Sequence, residues 1–165
     1  MPARKPNKNK LNGAHPFRVG RSRTGLGVFA TEPIRKNKYI VEYTGPLLTN
    51  QQYDERPDNR YWFEVNSRWT IDGSRRSNTA RYINHSCRPN ADPMIRDHRI
   101  WIKAIKNIEA GEEITYDYGK DHFNAYIKPH GCRCDKCRGK RRKERAEARA
   151  ARARKRKRAE RLRLA

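Results

Sequence analysis

The sequence predicts a single, mainly β domain with strongly basic extensions, and three observations predict it. Its 165 residues are about the length of one domain. From Phe17 onward, short apolar or alternating runs are split by turn residues, as many short strands require. Helical periodicity is weak over the same stretch, which argues against a parallel α/β sheet.

The elements follow in chain order. Residues 1–16 hold Arg4, Lys5, Lys8 and Lys10 among Pro and Asn with no carboxylate, too little apolar content to order an arm. Strands are expected at residues 28–30, 39–43, 61–65, 69–71, 100–102 and 114–118, with Gly45-Pro46, Asp72-Gly73 and Ala110-Gly111 as turns. Residues 50–55 and 75–83 are the best short helix candidates. After Gly139 the chain is Ala, Arg, Lys and Glu, with Leu162 and Leu164 at the end. These residues favour helix, but no apolar stripe docks one, so the tail reads as a fluctuating or partner-induced helix.

Charge is unevenly placed. The chain carries 40 Lys/Arg against 18 Asp/Glu, a net +22, and residues 139–165 alone hold 14 against 3. No apolar run exceeds three residues, far short of the ~20 of a membrane span or the ~7–15 of a signal-peptide core. The expectation is a soluble, intracellular chain with no membrane partner.

Four groups of residues invite chemistry. Gly25-Leu26-Gly27 lacks a third glycine and a following helical pattern, so the dinucleotide fingerprint fails. It reads either as a strand turn at positive φ or as a loop on which a ligand rests. In residues 114–118 alternation places Tyr116 and Tyr118 on one face, and Tyr39, Val41 and Tyr43 form a similar face earlier. Clustered phenols are either half-buried packing or the lining of a channel for an alkylammonium group. Residues 81–90, Arg-Tyr-Ile-Asn-His-Ser-Cys-Arg-Pro-Asn, are dense in polar side chains whose donors and acceptors need partners, from the protein or from a polar ligand. Cys132, Cys134 and Cys137 supply three thiolates within six positions, and tetrahedral zinc needs four ligands. Cys87 is the leading fourth ligand; His130 or His122, or simple reduced thiols, are the alternatives.

Taken together and in this order, the pieces resemble the SET-domain protein lysine methyltransferases. Residues 25–29 look like the family's first motif, Glu42-Tyr43-Thr44-Gly45 its second, 81–90 its third and 113–119 its fourth. Residues 131–137 look like the cysteine-rich post-SET segment, and the resemblance covers roughly residues 17–138. It implies the SET (β-clip) fold, in which small curved sheets surround a pseudoknot of the third motif against the fourth, with a zinc-bound post-SET segment. The expected organisation is a basic arm at 1–16, a SET domain at 17–119, a post-SET zinc segment at 120–138 and a basic tail at 139–165. No cysteine-rich segment precedes Phe17, so the chain looks like a minimal SET plus post-SET unit.

The resemblance also implies the site. Arg21, Gly25, Leu26, Gly27, Tyr61, Arg81, Tyr82, Asn84, His85 and Tyr118 would hold S-adenosylmethionine. Leu26 stands where the family often has an aromatic residue, so backbone contact alone is expected there. Tyr118 would be the catalytic tyrosine, Tyr116 the residue that sets methylation degree with a bias to monomethyl product, and Tyr43 and Phe123 further channel walls. Zinc on Cys87, Cys132, Cys134 and Cys137 would be structural, because four thiolates leave no open position.

The expected substrate is a histone, another DNA-packaging protein or a ribosomal protein, in a nucleus or a bacterial cytoplasm. The basic tail would add nonspecific DNA or RNA contact without base readout, or serve only solubility or localisation. A catalytically idle SET module binding nucleic acid through its basic ends is the runner-up. A small zinc DNA-binding protein is a third reading, and it leaves the Tyr116/Tyr118 strand unexplained.

Overall fold

A computed structural model describes residues 15–56 and 59–163. The expected basic arm lies outside the described residues except for His15 and Pro16. Ten strands form three small sheets. They are β1 (Phe17–Ser22), β2 (Gly25–Ala30), β3 (Tyr39–Tyr43), β4 (Leu47–Thr49), β5 (Trp62–Asn66), β6 (Trp69–Asp72), β7 (Asn84–His85), β8 (Ala91–Arg96), β9 (Arg99–Ala104) and β10 (Glu113–Tyr116). Helices α1 (Asn50–Asp54), α2 (Lys120–His122) and α3 (Asp135–Arg163) complete the chain with a 3₁₀ turn at Thr79–Tyr82 and two further helical turns from Phe123 to His130. The mainly β expectation holds.

The first sheet has the order β1-β2-β10-β7, the second β3-β9-β8 and the third β4-β6-β5. Among the described residues only β7 and β10 pair in parallel, with Thr115 opposite Asn84 and Tyr116 opposite His85. This is the contact that a pseudoknot of the third and fourth motifs requires. Asn90 secures it. Its Oδ1 accepts from the Thr115 N–H at 2.9 Å, and its Nδ2 donates to the Glu113 carbonyl at 2.9 Å and to Glu112 Oε1 at 3.0 Å. Backbone bonds from Ser86 N–H to the Tyr116 carbonyl and from Asn90 N–H to the Thr115 carbonyl close the lacing.

The apolar core lies between the sheets. Val28, Ile83, Ile100, Ile102, Ile108 and Ile114 are all but fully buried, and each such side chain contributes roughly 1.5–3 kcal/mol by leaving water. Partly buried Tyr118 and Phe63 rest on this cluster, so the tyrosine strand is core on one side and cavity on the other.

Several elements differ from the sequence expectation for identifiable reasons. Strand β8 carries Pro93, which reads as a breaker, yet β8 is a sheet edge, where a missing N–H costs no ladder bond. The alternation in β3 is broken by a register shift between Tyr39 and Val41, so Tyr39 is exposed while Tyr43 is buried. Strand β10 ends at Tyr116, before the expected Tyr118. Helix α3 is a formed element that starts at Asp135, so the expected boundary at 138/139 falls inside it. Asp135 suits the positive end of the helix dipole, and Lys140 pairs with Glu144 one turn on, at 3.8 Å.

Replacing Asn90 by Ala leaves the Thr115 N–H and the Glu113 carbonyl without these partners. The expected loss is about 2–4 kcal/mol of unfolding free energy, read as a lower urea midpoint.

Candidate active site

The site is built where the β7–β10 pair meets the helical turns after Gly119. Tyr118 stands at its centre. Its hydroxyl donates to the Ile83 carbonyl at 2.6 Å, and its N–H donates to Nδ1 of His85 at 3.3 Å. Two cavities flank it, one of about 750 Å³ and one of about 540 Å³, and Tyr61, Arg81, Tyr118 and His122 line both.

The larger cavity has one aromatic wall, while Asp54, Glu64, Lys120 and Asp121 also line it. Tyr43, Phe63, Tyr116 and Tyr118 form its wall, with Trp62 and Tyr126 also lining it. The rings touch in sequence, with centroids 5.3 Å apart for Tyr43–Phe63, 6.2 Å for Phe63–Tyr116 and 4.9 Å for Tyr116–Tyr118. Tyr43 directs its hydroxyl to the Tyr61 carbonyl at 2.7 Å. Gly73 sits against that ring, where an added Cβ would overlap Tyr43. Burial pushes all three phenols, Tyr43, Tyr116 and Tyr118, above the ordinary tyrosine range, with neighbouring tyrosines adding to it. They stay protonated and uncharged.

The smaller cavity is lined by Leu26, Tyr82, Asn84 and His85 besides the shared residues. Asn84 is fixed by donation to the Leu26 carbonyl at 2.9 Å and to Glu113 Oε1 at 2.7 Å, and Ser22 donates to the other carboxylate oxygen at 2.9 Å. Gly27 lies under this network, where a Cβ would collide with Glu113. Gly25 has φ 119 and closes the β1–β2 hairpin. Arg21 pairs with Leu26 across that hairpin, is exposed, and does not line either cavity. The Arg81 guanidinium lies 4.0 Å from the Tyr61 ring centroid. Among the described residues, the buried polar atoms without a partner are Trp62 Nε1, Arg81 Nε and His122 Nδ1, all on cavity-lining residues. Buried groups of this kind call for a polar occupant.

The four cysteines converge. One ligand atom each from Cys87, Cys132, Cys134 and Cys137 lies within 4.8 Å of the others. His122 is committed elsewhere, its Nε2 bonding the Arg60 carbonyl at 3.1 Å. Burial pushes the Cys87 thiol well up and Cys132 to about 11, and the neighbouring thiols raise Cys87 further. Cys134, despite burial, is pulled down to about 7 by hydrogen bonds from the Cys137 and Cys87 backbones and from adjacent thiols. Four crowded sulfurs become thiolates together only when a cation offsets their repulsion. The donor set therefore fits a closed tetrahedral zinc site.

His85 joins the cysteine cluster to Tyr118. Because Nδ1 accepts the Tyr118 N–H, Nε2 carries the proton, and it lies 3.3 Å from the Cys87 sulfur. Burial lowers the His85 pKa, Asp117 opposing and His122 assisting, which keeps this neutral tautomer. Cys132 and Cys134 also line the smaller cavity, so the cysteine loop forms part of its wall.

Sequence reasoning missed Arg60, Tyr126 and Ile127 as lining residues and gave His122 only a possible metal role. The available signal was the four-residue spacing of Tyr118, His122 and Tyr126, whose rings pack at 4.8 and 4.7 Å. Phe123 packs on His85 at 5.2 Å and does not line the larger cavity.

This arrangement of three small sheets, a third motif paired to a fourth and a tyrosine between two cavities defines a SET domain. The SET-domain family model matches residues 25–119, and the chain belongs to that family. It is similar to the histone-lysine N-methyltransferase EZ2 of Zea mays, 34% identical over 132 residues, covering 72% of this chain and 15% of the relative. It is also similar to the histone-lysine N-methyltransferase ASHR3 of Arabidopsis thaliana, 33% identical over 146 residues, covering 77% of this chain and 29% of the relative. The match to mes-4 of Caenorhabditis elegans, also named a histone-lysine N-methyltransferase, is 33% over 138 residues, 70% of this chain and 15% of the relative. The chain thus spans between 15% and 29% of the length of these curated relatives.

Zinc analysis of the purified protein should give one equivalent per chain. Chelation should lower the thermal midpoint and release four titratable thiols, and Cys137→Ser should lower the midpoint likewise. Full stability after complete metal removal would exclude a structural ion.

Proposed function

We propose that the protein is an S-adenosylmethionine-dependent protein-lysine N-methyltransferase acting on histones or other basic, nucleic-acid-associated proteins. The observation that carries this reading is Tyr118, whose hydroxyl is fixed at the wall shared by an aromatic channel and a polar cavity. Similarity to proteins named histone-lysine N-methyltransferases supports it.

The smaller cavity suits the cofactor. Leu26, Tyr61, Arg81, Tyr82, Asn84 and His85 would hold it, with the unpartnered Arg81 Nε offering a donor. When bound, S-adenosylmethionine supplies an electrophilic methyl group on a sulfonium. Zinc on Cys87, Cys132, Cys134 and Cys137 would hold the cavity wall closed.

The larger cavity suits the lysine. A free lysine, pKa about 10.4, is neutral only about once in 2500 molecules at pH 7. Exposed Asp54, Glu64 and Asp121 also line the cavity, but the phenols of its buried wall carry no charge, so burial of an amine against them favours the neutral form. Because Tyr118 donates its own proton to the Ile83 carbonyl, its oxygen lone pairs face outward as acceptors that orient the amine. Tyr118 is a positioning acceptor and not a base, since burial holds it protonated. Alignment of this kind supplies much of the barrier reduction in a direct displacement. Tyr116, 6% exposed and packed between Phe63 and Tyr118, narrows the channel end. A phenol there leaves little room for a rotated methylated amine, which favours monomethyl product. The basic tail, by contacting nucleic acid, would bring the enzyme to such substrates.

Tyr118→Phe should reduce turnover on the order of 10²-fold, as loss of one oriented transition-state hydrogen bond does, while calorimetry still detects S-adenosylmethionine binding. Mass spectrometry of product should show mainly monomethyllysine, and Tyr116→Phe should shift it toward di- and trimethyllysine. Mainly trimethyllysine from the unaltered enzyme would contradict the assignment of Tyr116.

A further inference from the structure

Helix α3 runs for 29 residues with no buried residue and no Phe, Tyr or Trp. It is about 43 Å long. It leaves the domain at the cysteine cluster, since Cys137 lies in its first turns, and Asp135 at its start is bound by Arg23 at 2.6 Å. A helix that is polar all round contributes nothing to the core and leaves its faces open to a polar partner.

Its charges are ordered. Arg138, Arg142, Arg145, Arg149, Arg152 and Arg156 recur at alternating intervals of four and three. At ~100° per residue these six fall within an arc of roughly 80°. No other residue between positions 138 and 156 falls in that arc. All six are arginine, and every lysine of the segment lies on the other faces. The two acids between these positions are Glu144 and Glu147, which lie roughly 120° and 180° from the centre of the arc. Beside the stripe, Ala146, Ala150 and Ala153 line a shallow groove with Arg145 and Arg149.

We propose that this arginine face is a docking surface for the phosphate backbone of duplex nucleic acid. The inference rests on the reading of the tail as a nucleic-acid contact and assigns that contact to one face. Guanidinium forks match phosphate oxygens two at a time, which separates an arginine row from a merely cationic one. The stripe is roughly 27 Å long, and duplex DNA carries one charge per ~1.7 Å of axis, so the five forks beyond Arg138, which pairs with Asp135 at 3.5 Å, each have a phosphate within reach. The alanines let the strand approach the helix closely. Without aromatic rings there is no platform for stacking unpaired bases, which disfavours single strands. A second copy of the helix is excluded on this face, because the same spacing would place arginine against arginine in a coiled-coil seam. An acidic protein helix would find no apolar position in the stripe to seal a seam.

The test uses the full-length zinc-loaded protein and a 20-base-pair DNA duplex, with binding followed by fluorescence anisotropy against salt. One variant replaces Arg142, Arg145, Arg149, Arg152 and Arg156 by Gln. A matched variant replaces Lys140, Lys143, Arg154, Lys155 and Arg158 by Gln, removing the same charge from the other faces. Circular dichroism checks that both keep the helix.

The unaltered protein should show a log–log salt slope of about −5, and the stripe variant should lose on the order of 10²-fold in affinity with a slope shallower by about four. The matched variant should lose under about fivefold. Lysine at the five stripe positions should weaken binding roughly tenfold, because the fork is lost while the charge stays. An RNA duplex should bind comparably, since the backbone alone is gripped.

Equal losses from the two Gln variants, or no loss with lysine, would overturn the arginine face while leaving nucleic-acid binding in place. No binding by the unaltered protein would overturn the tail reading as well. Displacement of DNA by polyglutamate at equal charge would point instead to an acidic protein. Methyl transfer by the unaltered protein to a short lysine peptide, without nucleic acid, reports on the enzyme reading independently.

Discussion

The parallel pairing of β7 with β10 is the constraint on which the rest of the molecule depends. Two strands of two and four residues cannot hold together on ladder bonds alone, and Asn90 supplies the remainder by gripping Thr115, Glu113 and Glu112 with one buried amide. The pairing brings His85 beside Tyr116 and sets the Ile83 carbonyl within reach of the Tyr118 hydroxyl. Both cavities, and the wall between them, follow from that one juxtaposition.

The electrostatics are arranged in layers. A chain with net charge +22 keeps a channel walled by neutral phenols at its centre. Burial does this by making tyrosinate too costly, so the phenols themselves offer an incoming cation no opposite charge. The four thiols present the reverse case. Their crowding is unfavourable for thiolates alone and favourable around a divalent ion, so the donor set suits a metal. His85 stands between the two layers, its neutral tautomer set by the Tyr118 N–H on one side and facing the Cys87 sulfur on the other. Loss of order at the cysteines therefore has a direct path to the position of Tyr118.

Much of the site was legible because its parts are short and local. The turn glycine at 25, the polar run 81–90, the alternating tyrosines and the cysteine spacing each carry chemistry within a few residues of one another. Less local features escaped. Strand β8 hid behind Pro93, which is harmless only because the strand is an edge. The face expected of Tyr39, Val41 and Tyr43 was broken by a register shift that no alternation pattern records. Phe123 and His122 are neighbours in sequence, yet the helical path after Gly119 turns one onto His85 and the other onto Tyr118.

The sequence by itself determined the β character, the thiolate count and the motifs that resemble the SET family, because residue type and short-range spacing encode them. It also determined the arginine periodicity of the tail, although only a formed helix turns that spacing into a face. Tertiary structure alone decided that Cys87 joins the other three cysteines, that Tyr43 spends its hydroxyl on the Tyr61 carbonyl, and that Tyr61, Arg81 and Tyr118 belong to two cavities at once. The physical reason is that cavities and ligand shells are made by residues tens of positions apart. Their meeting is fixed by which strands pair and which side chains are buried, and no local pattern along the chain records that choice.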